Sequence, residues 1–348
     1  MVRTCDRSRF PDTASGMAAK PWPAAAVREV RTMASAAVAD HTRSHGQREL
    51  LAAILAEAFA PRRGGIDSCA LASTLPLLIH AGLRGRDERC AQALAAAVTL
   101  IEAGIYTLDH ILDGEMDGAL RAVPPRAVLL GAVDLISHVP QAVLAALDVS
   151  DSVVRRLLAE LYDGMARISA GQLADLAPGS LDGPAVRETI AMKTGARRAL
   201  YAGLAARLAG ADDAAWTAAT GFGRALGCAR QISSDLVDLV GPQPSRDLAA
   251  GTVTLPIALH LDDVDDDARQ ELRALLARAR TDETAHALVR TRLHAGGALR
   301  RAAAAAMAEC VRAREHLVRL DAAEPAATLL RALVEQAAPA GLPVPALR

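Results

Sequence analysis

The sequence predicts an all-α fold, a single bundle of at least roughly ten helices, on three observations. Ala, Leu, Arg and Val dominate the composition, a mixture that favours helix and gives little material for a sheet. Aromatic residues are scarce, at two Trp, three Tyr and three Phe, so sheet-forming side chains are few. Apolar residues recur at helical spacing throughout, and no alternating strand pattern survives.

The elements follow in order. Residues 1–22 are polar and Pro-containing and read as a disordered tail, leaving 23–348 as one domain. A helical pattern runs from Ala24 to Ala60 with a break near Ser44-His-Gly46, and Pro61-Arg-Arg-Gly-Gly65 stops it. Ser68–Leu83 is an apolar helix. A charged turn, Arg84–Arg89, then leads into a long helix from Cys90 to Asp113. Helices are expected over Ala127–Ala146 and Ser152–Leu173 on either side of a short connection. Two more cover Ala185–Ala209 and Asp212–Leu239, the last ended by Gly241-Pro-Gln-Pro244. Shorter helices finish the chain, separated by the acidic turn Asp262–Asp267 and by Gly296-Gly297.

Composition also excludes. The net charge of −1 provides no field that would recruit nucleic acid or a membrane surface. No uninterrupted apolar run reaches the roughly 18 residues that a stable membrane span needs. Five scattered cysteines, an odd number without metal-ligand spacing, point to a reduced cytoplasmic setting. Histidines are dispersed, no serine sits in a nucleophile elbow, and the glycine pairs lack a phosphate-loop pattern.

Chemistry concentrates in two acidic clusters inside apolar helices, where an unpaired charge is costly. Tyr106-Thr-Leu-Asp109-His110-Ile-Leu-Asp113-Gly places Asp109 and Asp113 on one helical face. Gln231-Ile-Ser-Ser234-Asp235-Leu-Val-Asp238 does the same for Ser234 and Asp238. Two acidic faces can hold Mg²⁺ between them, because Mg²⁺ takes one or two carboxylates together with substrate phosphate oxygens. The chain therefore reads as built to bind a diphosphate through metal.

The order of the motifs resembles that of the trans-isoprenyl diphosphate synthases, or polyprenyl synthetases, from about residue 50 onward. The matching pieces are Leu108–Gly114, Ala127-Val-Leu-Leu-Gly131, Gly171-Gln172 with Asp175, and Lys193-Thr194-Gly195. Gly223–Gly227 leading into Gln231–Asp238, and Asp247–Pro256, complete them. The resemblance implies an isoprenoid-synthase fold whose central cavity opens beside the acidic motifs. It also implies an allylic prenyl diphosphate substrate, up to three Mg²⁺ ions and a homodimer. By the same resemblance Asp109, Asp113, Asp235 and Asp238 are metal ligands. Ser234 stands where the family has an aspartate, and Asp117 adds a carboxylate one turn on. Lys193 and Thr194 match the pair that holds the diphosphate, with Lys193 joining Asp109 and Asp113 in catalysis. Gln231 matches a substrate-facing glutamine, with a capping or packing role as its alternative. Arg246 and Arg121 are further phosphate contacts by this reading. Gly104 and Tyr106 occupy the positions that set cavity depth: the small Gly104 hints at a C15 or C20 substrate, while Tyr106 could plug the floor.

Departures from the family pattern are informative too. Where the family carries Gly-Gly-Lys-x-x-Arg-Pro to grip isopentenyl diphosphate, the counterpart here reads Gly64-Gly65-Ile66-Asp67-Ser68-Cys69-Ala70. Ala122 follows Arg121 where the family has a second arginine. Each missing cation removes a charged hydrogen bond worth about 1–3 kcal/mol. Ionisation of an allylic diphosphate followed by terpene-synthase-like cyclisation, proton loss or transfer to another acceptor is therefore the first expectation. Chain elongation to a C15 or C20 product is the alternative, and a non-catalytic or regulatory subunit of a prenyl synthase heteromer is the third.

Overall fold

The computed structural model describes residues 24–60, 68–114, 116, 118–176, 182–241 and 243–339. The expected N-terminal tail and the Gly64–Asp67 stretch lie outside the described residues. So do Asp117 and the side chain of Asp113.

The described residues contain helices and no strand. The first four helices are α1 (Ala24–His41), α2 (His45–Ala58), α3 (Ser68–Gly82) and α4 (Glu88–Asp113). A 3₁₀ turn, Gly118–Ala122, leads to α5 (Pro125–Ile136), α6 (His138–Ala145), α7 (Asp151–Leu176) and α8 (Gly183–Ile190). A π-helical segment, Ala191–Gly195, joins α8 to α9 (Ala196–Leu208), and α10 (Asp213–Val240) follows. The chain closes with α11 (Arg246–Ala250), α12 (Leu255–Asp263), α13 (Asp266–Ala279), α14 (Glu283–Ala295), α15 (Ala298–Leu320) and α16 (Ala326–Ala337).

Local chemistry sets several boundaries. Ser44, Asp87, Asp182 and Asp212 each accept a hydrogen bond from the backbone N–H three residues on. Each such cap is worth about 1 kcal/mol, because it satisfies an orphan donor of the first turn. Gly114, in the left-handed region at φ 73°, ends α4 directly after the first acidic motif. The expected helix over Ala127–Ala146 is instead two helices. Ser137 leaves helical geometry at φ −105°, ψ −97°, and its hydroxyl donates to the Val133 carbonyl at 2.7 Å.

Two long helices organise the interior. Leu94, Ala97, Val98, Ile101 and Ile105 of α4 enter one apolar cluster, while Ala91, Ala95, Leu100 and Ala103 enter a second. Buried on both sides, α4 has nowhere to move without opening both clusters. α10 gives Phe222, Leu226 and Ala229 to the first cluster, and Ile232, Leu236 and Leu239 to a third. The two acidic motifs thus sit on the C-terminal halves of two firmly packed helices.

Two stretches, Glu88–Leu112 and Pro125–Ala145, are long and apolar enough by length and composition to cross a bilayer, although charged residues interrupt both. The first is the core helix α4, 78% buried. The second is 39% buried and is broken at Ser137 into α5 and α6.

Candidate active site

Lys193 lies in the π-helical segment, where one wide turn interrupts an otherwise continuous α8–α9 rod. This segment is pressed between α7 and α10. A Cβ on Gly171 would stand 2.5 Å from the Met192 carbonyl carbon, and one on Gly227 would stand 2.6 Å from the Thr194 carbonyl oxygen. Only glycine lets the two helices approach that closely. The motifs Gly171-Gln172 and Gly223–Gly227 are therefore the walls of the Lys193 segment.

From there Lys193 reaches two acids. Its Nζ donates to Asp175 Oδ2 of α7 at 2.8 Å and stands 3.8 Å from Asp109 Oδ1 of α4. Burial pulls the ammonium's pKa down, but Asp109 and Asp175 outweigh it and hold the group above the ordinary lysine value. Beside it, the buried Thr194 hydroxyl donates to Gln231 Oε1 at 2.9 Å. The Gln231 amide in turn donates to Asp235 Oδ1 at 2.8 Å. Gln231 thus bridges Thr194 of the Lys193 segment and Asp235 of the second acidic motif.

Asp235 is buried. Burial first, then the neighbouring charges of Asp247, Asp238 and Asp175, push its pKa well above the usual carboxylate range, despite the Gln231 hydrogen bond. Asp238 is occupied differently. It accepts from the Ser245 hydroxyl at 2.5 Å and from the backbone N–H groups of Arg246 and Asp247 at 3.2 Å each. Its carboxylate thereby anchors the start of α11 and brings Asp247 toward Asp235.

Other expected residues are less central. Ser234 is exposed on α10. Arg246 extends into solvent, 75% exposed, with Nε 3.7 Å from Asp238 Oδ1. Arg121 donates from Nε to the Met116 carbonyl at 3.2 Å. Asp113 is the last residue of α4, one turn beyond Asp109.

Cavity depth is read differently from the structure. A Cβ on Gly104 would meet Ile136 Cγ1 at 2.7 Å and the Ala132 carbonyl at 2.8 Å, so the missing side chain lets α4 seat on α5 rather than deepening a cavity. Tyr106 turns toward His110, ring centroids 4.0 Å apart. A cavity of about 1130 Å³ opens between α7, α10 and α15, lined by Trp216, Arg224, Glu309 and His316 among others. It holds none of the motif acids, so it is not the expected cavity beside them.

One constellation escaped the sequence reading. Glu102, two turns before Asp109 on α4, is fully buried and takes both terminal nitrogens of Arg198, at 2.9 and 3.2 Å. The Tyr201 hydroxyl donates to Glu102 Oε2 at 2.8 Å, and Arg197 Nε stands 3.6 Å from that oxygen. Burial opposes ionisation of Glu102, but Arg197, Arg198 and the Tyr201 hydrogen bond hold its pKa below the usual value. The signal was available: a lone acid inside an apolar helix, and an arginine pair just after Lys193-Thr194-Gly195. This ion cluster ties α4 to α9 and so fixes Asp109 opposite Lys193.

Comparison with known proteins agrees with this geometry. The fold is that of the all-α isoprenyl diphosphate synthases. Geranylgeranyl pyrophosphate synthetase from the archaeon Geoglobus acetivorans superposes with a TM-score of 0.76 at 21% identity, over 90% of this chain and 98% of that one. Polyprenyl synthase from Caulobacter crescentus CB15, solved with calcium and isoprenyl diphosphate, gives 0.76 at 20% identity, over 91% and 95%. Residues 125–292 match the polyprenyl synthetase family. The short chain isoprenyl diphosphate synthase of Methanothermobacter thermautotrophicus is 30% identical over 209 residues, which are 55% of this chain and 63% of the relative. The chain thus matches less than two thirds of that relative's length. The family match begins downstream of the first acidic motif and of the altered Gly64–Ala70 stretch.

Proposed function

We propose that the protein is a Mg²⁺-dependent prenyltransferase that ionises an allylic prenyl diphosphate and joins the cation to isopentenyl diphosphate. The observation that carries this reading is Lys193, held between Asp109 and Asp175, with Thr194, Gln231 and Asp235 continuing the polar line to the second motif. Names borne by the relatives favour chain elongation over the cyclisation that the missing cations first suggested. Cyclisation or transfer to another acceptor stays as the second reading, because Cys69 is fully buried and Ala122 carries no charge where cations were sought.

The donor set suits a hard divalent cation. Burial, together with the charges of Asp247, Asp238 and Asp175, raises the Asp235 pKa, and a bound cation relieves the repulsion among these acids. Among the described residues no three acidic, His or Cys side chains converge into a cage. Asp109, Asp113 and Asp235 would therefore hold Mg²⁺ jointly with water and phosphate oxygens, Asp117 and Ser234 being outer candidates. When bound, Mg²⁺ neutralises charge developing on the departing diphosphate. Lys193 adds a mobile positive charge to the same oxygens, and Thr194 fixes the Gln231 amide that orients Asp235.

A pH dependence follows. The folded-state pKa of Asp235 is raised, so its contribution to stability is complete below the unfolded carboxylate pKa and is lost as pH rises through the folded value. Mg²⁺ binds the ionised form, so its affinity rises over that same interval. The melting temperature without metal should fall through that interval, Mg²⁺ should restore it, and calorimetry should detect proton release on binding. A Mg²⁺ affinity that is flat with pH would remove Asp235 from the metal site.

The apolar residues Leu129, Leu130 and Val133 project from α5, with Leu130 66% exposed. Such a stripe supports a homodimer through this helix. Leu130→Asp should halve the mass seen by light scattering, and an unchanged mass would place the interface elsewhere. The activity itself is tested by supplying Mg²⁺ and an allylic diphosphate with and without isopentenyl diphosphate. A longer prenyl diphosphate is expected only with both substrates, and products formed without isopentenyl diphosphate would favour the second reading.

A further inference from the structure

Arg197 is a buried cation that the reading above leaves unused. It follows Lys193 by one helical turn and faces α4 between Glu102 and Asp109, which are themselves two turns apart. The side chain is 8% exposed, and its Nε makes no hydrogen bond. Glu102 satisfies it only in part: that carboxylate already accepts from both terminal nitrogens of Arg198 and from Tyr201, leaving Arg197 Nε at 3.6 Å, an ion pair without a hydrogen bond. A buried guanidinium without a dedicated partner costs stability unless an anion completes it.

The charge arrangement names that anion's class. Glu102 serves Arg198 closely and Arg197 from 3.6 Å, Asp109 adds to both Lys193 and Arg197, and Asp175 pairs with Lys193. Once Asp109 turns to a divalent cation, Lys193 and Arg197 both lose its share of their counter-charge, and Arg197 keeps only the distant contact with the already engaged Glu102. Two cations one turn apart on one helix face then stand over the same space. Their spacing suits a diphosphate better than a monovalent anion, and a guanidinium offers paired donors where the ammonium offers a point charge.

We propose that Arg197 is a second diphosphate-binding residue, acting beside Lys193 on the phosphate oxygens of a substrate. This inference rests on the proposed function of the site. An arginine so placed would also order the diphosphate relative to Asp109, since Glu102 and Arg198 hold its helix in register.

Inorganic pyrophosphate with Mg²⁺ is the probe, titrated calorimetrically and by thermal shift into wild type, Arg197→Gln, Arg197→Lys and Lys193→Ala. Arg197→Gln should weaken pyrophosphate at least tenfold, and Arg197→Lys should recover part of that loss. The pyrophosphate-induced rise in melting temperature reads the same effect in a variant whose own stability has fallen. Wild-type affinity in Arg197→Gln alongside a loss in Lys193→Ala would overturn the role of Arg197 and leave the diphosphate site standing. Undiminished binding in both would overturn the site itself. Separate titrations of isopentenyl diphosphate and of a non-hydrolysable allylic thiodiphosphate then show which substrate's phosphates Arg197 holds: a tenfold loss in either supports the proposal, and a loss in neither overturns it.

Discussion

Glu102→Ala is expected to cost about 3–5 kcal/mol of folding stability, the usual penalty for removing one partner of a buried ion cluster. The loss comes less from the bonds themselves than from what they leave behind. Arg198, 2% exposed, would keep its charge with no carboxylate to receive it, and the Tyr201 hydroxyl would lose its acceptor. Glu102→Gln should cost less, because an amide oxygen still accepts from Tyr201 and Arg198. Denaturant unfolding of wild type and both variants checks the order. A loss below about 1 kcal/mol for Glu102→Ala would mean that water reaches the cluster and that it does not hold α4 to α9. The cluster also implies acid sensitivity. With the Glu102 pKa lowered in the fold, its stabilisation is present above the unfolded carboxylate pKa and disappears as pH falls through the folded value.

Lys193→Ala should lower the rate of diphosphate release by roughly 10²–10³-fold, as removal of a preorganised electrostatic contact to a developing anion commonly does. The fold should survive, since Lys193 is partly exposed and its removal leaves Asp175 able to take up water. Asp109→Ala should be at least as severe, because it deletes a metal donor and the counter-charge for Lys193 together. Single-turnover kinetics separates this from weakened substrate capture. A variant with normal turnover and merely weaker binding would restrict Lys193 to holding the substrate.

Much of this was legible in the sequence, for identifiable reasons. Helical periodicity and strong end signals marked α4 and α10 to within a few residues, and the acids on their faces drew attention because they interrupt apolar runs. Non-local facts were hidden. The Glu102–Arg198 bond joins residues 96 apart, and nothing local in either helix announces its partner. Gly104 illustrates a misread local signal. Its small size suggested empty space, whereas the structure spends it on contact with Ile136 and Ala132. Likewise the break inside Ala127–Ala146 is marked by Ser137-His138-Val139-Pro140, a signal that the helical apolar spacing on either side obscures. The π turn at Lys193 was silent, although Gly171 and Gly227 give it its room.

The central claim is that this site makes a longer prenyl diphosphate rather than a hydrocarbon. Its most direct test is incubation of the purified protein with Mg²⁺, farnesyl diphosphate and isotopically labelled isopentenyl diphosphate, followed by mass analysis of all products. The account predicts labelled product that retains a diphosphate, formed only when both substrates and Mg²⁺ are present. Unlabelled hydrocarbon or alcohol released at the same rate without isopentenyl diphosphate would contradict it.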